Sequence, residues 1–436
     1  MVPHLTTALS GPLQSLERKF LERMPEIERW LRSKWQEHAV PFYASVDLRN
    51  AGFKLAPVDT NLFPGGFNNL NPAFTPLCVQ AIQAAVERVC ADARGVLIVP
   101  ENHTRNLHYL RNVAALEDIV KQAGLRARIG SINPEIREPT RVDLPDGASI
   151  LLEPVVRHGS RVGLPDFDPC MVLLNNDLSA GPPAILEGIE QPIAPPLAAG
   201  WYNRLKSHHF EAYHAVANEF GALVGIDPWL VDPYFGVCGE INFQERAGEE
   251  CLASNVDWLL GRIRAKYAEY GIDEPPFVIV KADAGTYGMG IMTVRDAADV
   301  QGLNRKQRNK MAVVKEGLEV TSVIIQEGVP TFEAIGEAMA EPVVYMIDRY
   351  VVGGFYRVHA SRGRDENLNA PGAEFVPLAF ESPCIPDLKG PAGCPPNRFY
   401  AYGVVARLAQ LAAAVEVEQL VGRKSGADST RSAVTA

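Results

Sequence analysis

Nowhere in its 436 residues does the chain hold a run of about twenty apolar residues, the length a helix needs to cross a bilayer. The opening segment MVPHLTTALSGPLQ lacks a basic stretch followed by an apolar core, so no export signal is expected and a cytoplasmic location is. Excess positive charge is missing as well. The formal net charge of −10 argues against a nucleic-acid partner, although a few cations in one cleft suffice for a small anion. Paired cysteines are also absent. All seven are scattered and no two are separated by two residues, which excludes the common zinc and redox motifs and predicts reduced thiols. There is no internal repeat. What remains is an ordinary globular composition, 47% hydrophobic and 22% charged, over a length that implies more than one domain. The subunit number is not legible, and an oligomer stays open.

Apolar spacing predicts helix over residues 13–36, divided at Pro25 because proline interrupts a helix interior. The polar, glycine- and asparagine-rich segment after it shows no sustained period. Helices over residues 76–91 and 103–125 then alternate with the apolar runs GVLIVPE, RARIGSI, ASILLEPV and CMVLLNND, which predicts a parallel or mixed sheet. Two more helices are expected near 201–225 and 249–270. GIDEPP, residues 271–276, ends the second and marks the strongest boundary. Beyond it lie a strand, a glycine loop, a basic helix near 304–318, the strand VTSVIIQEGV, a hairpin in EPVVYMIDRYVVGGFYRVH and a last helix. The fold class is therefore α/β with α+β elements. Four segments are expected: a helical one (1–40), an α/β substrate-binding domain (41–275), a nucleotide-binding domain (276–422) and a disordered tail (423–436).

The stretch FVIVKADAGTYGMGIMTV carries the first chemical signal. Lys281 ends an apolar strand, and Gly285, Gly288 and Gly290 follow, with Thr286 and Tyr287 among them. Glycines let main-chain N–H groups approach an anion, and the lysine supplies a fixed cation, so the loop can cover phosphates. The same spacing also fits a plain hairpin turn. The Walker pattern is absent, since no Gly-Lys-Ser/Thr follows. Gln326 and Glu327 end a strand about forty residues on, where an adenine edge and ribose hydroxyls can be received; a solvent-facing strand end is the other reading. Asp348, Arg357, Glu366, Asn367 and Asn369 fall within one short span. Oxygen donors of this kind suit Mg²⁺, and Arg357 can clamp a phosphoryl group. Asp348 also fits a turn. For an amino-acid substrate the candidates are Arg49, Lys54, Asp59 and Asn61, beside Asp47, and then Asn102 and Arg105 after a strand end. Asn102 equally suits a helix cap. His208, His209 and His214 lack metal-ligand spacing and are expected on an ordinary helix with one buried ring.

This order of features resembles the ATP-grasp ligases, which hold ATP between two small sheets with a lysine strand, a glycine flap, a hinge strand and a late metal cluster. YMIDRYVVGGFYRVHASRGRDENLNAPGAEF is most similar to the corresponding run of bacterial glutathione synthetase. More narrowly, SVDLRNAGFKLAPVDTNLFPGGFNNL, KADAGTYGMGI and ENLNAPGAEF resemble a minor family of bacterial glutamate–cysteine ligases. The resemblance implies an ATP-grasp-like carboxyl-terminal domain, ATP and Mg²⁺, and the joining of L-glutamate to L-cysteine as γ-glutamylcysteine in glutathione synthesis. It also implies that Lys281 and Arg357 are catalytic. Two parts of the pattern depart. The second lysine usual in these enzymes has no clear counterpart; Lys266 is the nearest but falls on a helix. The synthetase's Glu-x-Asn metal motif does not follow the asparagine loop, so Asp348, Glu366, Asn367 and Asn369 are expected to hold the metal. A ligase for another acid and amine, a non-catalytic ATP sensor and a purely structural protein are the rival readings.

Overall fold

The computed structural model describes residues 5–6, 11–102, 106–285, 290–313, 319–378 and 398–433. Two helices, α1 (Pro12–Glu22) and α2 (Met24–Glu37), meet at Pro25, which takes the first turn of α2, where its missing N–H costs nothing. A hairpin follows, β1 (Tyr43–Asn50) and β2 (Leu55–Asn61), in the segment that shows no periodicity. The reason is burial. β1 is covered on both faces along nearly its whole length, so the alternation of a half-exposed strand never develops.

Helix and strand then alternate as expected: α3 (Thr75–Val89), β3 (Gly95–Pro100), α4 (Leu107–Gln122), β4 (Arg126–Ser131), β5 (Thr140–Asp143), β6 (Ser149–Pro154) and β7 (Met171–Asn175). β3 lies between β7 and β4, with β6 beyond β4, all parallel; β5 closes one edge antiparallel. The apolar β3 and β7 are buried on both faces, as central parallel strands are. Next come α5 (Lys206–Val224), β8 (Phe235–Cys238) and α6 (Glu249–Tyr270).

Two antiparallel sheets complete the chain. One has the order β8–β11–β9–β10, with β9 (Val278–Ala282), β10 (Ile291–Val294) and β11 (Val323–Glu327). The other runs β2–β1–β12–β13–β14, with β12 (Ala338–Ile347), β13 (Tyr350–His359) and β14 (Glu374–Pro377). Each draws strands from both sides of the expected boundary at residue 276. GIDEPP ends a helix, with Gly271 in the left-handed conformation as its cap, but it does not divide the sheets. The expected basic helix is a single short one, Arg305–Met311. The last helix, α7 (Arg398–Ala433), continues through the segment expected to be a disordered tail as far as Ala433. Ala401, Val404, Val405, Leu408, Ala409, Leu411 and Ala412 are all buried, so α7 is a core helix with apolar residues all round. Among the described residues no helix is long and apolar enough to cross a membrane.

Inside this core α7 carries one carboxylate. Glu416 accepts from Arg204 Nε at 2.7 Å and Nη2 at 2.9 Å, and His209 Nδ1 lies 3.1 Å away. Arg204 Nη1 donates to the carbonyl of Thr60 in β2 at 2.9 Å. Burial alone would raise the Glu416 pKa, but the Arg204 charge and the His209 contact outweigh it and hold it at about 2. Glu416→Ala leaves Arg204 buried without its partner, which costs about 3–5 kcal/mol. The measurement is the urea midpoint, and an unchanged midpoint would show that the pair does not hold α5, α7 and β2 together.

Candidate active site

A cavity of about 880 Å³ opens between the two antiparallel sheets. Lys281, in β9, is nearly buried there, and its Nζ donates to the Val58 carbonyl at 2.7 Å and to Gln326 Oε1. Burial lowers its pKa to about 8, against the pull of Asp59 and with the repulsion of Lys206. Lys206 comes from the first turn of α5. Asp283, two residues past Lys281, accepts from Ser207 N at 2.8 Å and Ser207 Oγ at 2.7 Å, and its carbonyl accepts from Lys206 N at 2.8 Å. This clamp fixes the start of α5 to the end of β9, so Lys206 pairs with the Asp59 carboxylate while Lys281 acts on it through its field. Lys206 Nζ lies 3.0 Å from Asp59 Oδ1. Burial would raise the Asp59 pKa, yet Lys206 and Lys281 hold it at about 2.

A second set of charges crosses the other sheet. Asp47 (β1) and Asp59 (β2) are paired residues of one hairpin, and Glu341 and Arg357 are paired residues of β12 and β13. Arg357 Nη1 donates to Asp47 at 2.8 Å and to Glu341 at 2.6 Å. Arg49 Nε meets Glu341 at 2.5 Å. Arg49 also donates to the Arg364 carbonyl at 3.0 Å and the Glu366 carbonyl at 2.7 Å, which anchors the asparagine loop. Burial raises Glu341, but Arg49 and Arg357 bring it below the usual carboxylate range. Asp47 stays raised, because burial and the repulsion of Glu341 and Asp59 exceed the pull of Arg357. Phe277, Ile279 and Val329 form an apolar wall of the same cavity.

The structure gathers many of the residues singled out in the sequence and disperses others. Lys281, Gly285, Gln326, Glu327, Arg357, Glu366, Asn367, Asn369, Arg49 and Asp59 all line the cavity. Gly285 and Gly290 adopt positive φ, 94° and 61°, conformations that favour glycine on either side of the loop. Thr286, Tyr287, Gly288 and Arg105 lie outside the described residues. Asp348 is not in the cavity. It sits in the β12–β13 turn, nine residues from Arg357, a separation of roughly 30 Å along an extended strand. There it pairs with Arg88 and its carbonyl accepts from Gln410, so it is a turn residue and lies too far from the cavity to hold the metal expected of it. Lys54 is wholly buried behind the cavity, 2.8 Å from Glu327 and 4.3 Å over the Trp229 ring. Trp229 Nε1 and Tyr234 N also donate to the Glu327 carboxylate, so both of its oxygens have partners within the protein. The Asn61 side chain closes a local turn with Phe63. Asn367 likewise accepts from Asn369 N at 2.9 Å, and Glu366 accepts from Gly363 N and Arg362. Asn102 borders a separate cavity of about 1250 Å³ at the carboxyl ends of β3 and β7, with Glu101. Lys266, on α6, pairs with Glu269 of the same helix and with Asp227, and does not line the cavity.

Lys206 and Glu341 were not legible as site residues in the sequence, and Asp47 stood there only beside the substrate candidates. Only the hairpin of Asp47 and Asp59 offered a local signal. Asp59-Thr60-Asn61 has the carboxylate-x-amide spacing that was sought after the asparagine loop, but it lies at the opposite end of the chain. Lys206 carries no local mark beyond its place at the start of a helix.

The family profile described as glutamate-cysteine ligase (GshA) matches residues 17–417. A crystal structure from Methylobacillus flagellatus KT, provisionally named a gamma-glutamylcysteine synthetase, is 66% identical; the match covers 96% of this chain and 99% of that one, with a TM-score of 0.89. A glutathione synthetase-like effector from Globodera pallida is 10% identical over 79% of this chain and 77% of that one, with a TM-score of 0.34, too remote to carry any argument. No curated protein matches. On the profile and the Methylobacillus structure together, the chain belongs to the glutamate-cysteine ligase family.

Proposed function

We propose that the chain uses ATP to join the γ-carboxylate of L-glutamate to the amine of L-cysteine, as a cytoplasmic enzyme of glutathione synthesis. The family membership supports the reaction. The observation that carries the chemistry is the pair Lys206 and Lys281 flanking Asp59 in a cavity between two antiparallel sheets. A carboxylate is a poor electrophile, so ATP first converts it to an acyl phosphate, which the amine then attacks as phosphate leaves. Positioning and charge neutralisation supply most of the rate in such transfers. In this reading Lys206, Lys281 and Arg357 hold the phosphates, the wall of Phe277, Ile279 and Val329 takes the adenine, and the loop from Gly285 to Gly290 excludes water.

The residues also fit Mg²⁺. Gln326 Nε2 and Arg357 Nε are buried donors with no partner among the described residues, as expected beside a polyanion. Among the described residues no three His, Cys, Asp or Glu side chains are grouped to hold a metal alone. Mg²⁺ commonly takes one or two carboxylates and completes its shell with phosphates and water. Asp47 and Asp59, adjacent across one hairpin, are the carboxylates we assign to it, in place of Asp348, with Glu366, Asn367 and Asn369 lining the loop above. Bound there, Mg²⁺ would neutralise charge on the phosphates. Arg49 acts by holding the asparagine loop. The glutamate γ-carboxylate must meet the transferred phosphate, so we assign it to the cavity of Lys281, while Asn102 lies at the separate one. Trp201 connects the two regions, since its main-chain N–H donates to the Asp177 carbonyl at 2.9 Å and its ring lies 4.2 Å from Lys206 Nζ.

The deciding assay is ADP release with glutamate alone and then with cysteine added. Sustained release should need both, and hydroxylamine should trap an acyl phosphate from glutamate and ATP. Release that ignores the amino acids, or requires a different pair, would overturn the assignment. Lys281→Ala should lower kcat at least about 10²-fold, the loss typical of one charge-stabilising donor, with the circular dichroism spectrum unchanged. Because Lys281 binds phosphate only while protonated, kcat/KM for ATP should be level below pH 8 and fall about tenfold per pH unit above it. Lys281→Arg should remove that alkaline fall. Asp59→Asn should raise the Mg²⁺ concentration needed for half-maximal rate, and an unchanged Mg²⁺ profile would exclude Asp59 as a ligand.

A further inference from the structure

The fold brings two scattered cysteines into contact at the edge of the sheet that carries Lys281. Cys238 ends β8 and is buried, whereas Cys251 lies in the first turn of α6 and is exposed. Their sulfurs are 3.2 Å apart, and the Asn255 amide donates to both, at 3.3 and 3.4 Å. A disulfide spans about 2.05 Å, so closure asks for an approach of only about 1 Å. Burial, with the neighbouring thiol, pushes Cys238 up to about 12. The exposed Cys251 is therefore the thiol that reacts first.

We propose that Cys238 and Cys251 are a reversible disulfide site, oxidised by small-molecule disulfides, whose closure weakens nucleotide binding. The second half rests on the proposed function; the first does not. That function makes the oxidant natural, since one substrate and the product are thiols whose disulfides share their surroundings. The Cys251 thiolate attacks one sulfur of the small disulfide, forming a mixed disulfide and releasing one thiolate. Cys238 then loses its proton and attacks the Cys251 sulfur, which releases the second thiolate. The net change is two protein thiols oxidised to one disulfide and one small disulfide reduced to two thiols. The consequence follows from register. Cys238 faces Val323 across the sheet, and Val323 faces Ala282, whose N–H donates to the Gly290 carbonyl at 3.1 Å. One row thus runs from the cysteine to the glycine loop, beside Lys281, and drawing Cys238 toward α6 strains it.

The test incubates the full chain with glutathione disulfide, digests it without reduction and seeks the Cys238–Cys251 link by mass. Cys90 and Cys170 also adjoin, so the peptide assignment is the readout and not the thiol count. The link should form in the native chain and vanish in Cys251→Ser. Across the same samples, the KM for ATP should rise several-fold on oxidation, return with dithiothreitol and stay constant in Cys251→Ser. A mixed disulfide that persists on Cys251 with no internal link would overturn the site. A link that leaves the KM for ATP unchanged would overturn the effect on nucleotide binding. The peptide readout stands whether or not the chain proves to be the proposed ligase.

Discussion

An ionised side chain removed from water is destabilising by several kcal/mol unless an opposite charge meets it, and this constraint shapes the centre of the molecule. Arg357 is nearly buried and answers both Asp47 and Glu341; Glu341 in turn answers Arg49. Asp59 answers Lys206 and sits in the field of Lys281. No single strand supplies both members of any of these pairs. β1 brings Asp47 and Arg49, β12 brings Glu341, β13 brings Arg357, and α5 brings Lys206. The charges are satisfied only when strands from opposite ends of the chain lie side by side, so folding and assembly of the site are one event.

A further layer keeps these charges in register. Asp283 binds the start of α5 to the end of β9, and Arg204, two residues before that helix, binds β2 and Glu416 on α7. Both contacts lie within two residues of a lysine that lines the cavity. The carboxyl-terminal helix therefore acts on the site without entering it, through a guanidinium that is itself fully buried. Trp201, with its ring against Arg204 and Lys206, joins this layer to the parallel sheet, where the Asp177 carbonyl accepts its main-chain N–H.

Local signals were legible and long-range ones were not. Lys281, the glycine loop and Gln326 stood out because each is a short run whose chemistry is written in adjacent residues. Asp348 has the right side chain and a position close in sequence to Arg357, but an extended hairpin separates its turn from its open end by many residues. Lys54 and Asp47 lie seven residues apart in one segment, and nothing in their order told which would face the cavity. Lys54 falls in the β1–β2 turn, where no alternation applies, and the alternation that orients Asp47 was hidden by burial on both faces of β1. Asp59-Thr60-Asn61 has the carboxylate-x-amide spacing of a metal motif, but it precedes the asparagine loop that such a motif was expected to follow.

The sequence by itself determined the elements: the alternating helices and apolar strands, the helix ends at Pro25 and Gly271, the glycine run beside Lys281, and the family likeness borne by three short stretches. Those features depend on neighbours within a few residues, and a chain records them directly. Tertiary structure alone decided which cation meets which carboxylate, that Lys206 shares a cavity with Lys281, and that two distant thiols touch. Such partners lie as far as 310 residues apart, as Asp47 and Arg357 do. Strand register fixes their contact, and register comes from packing both faces of the sheets at once.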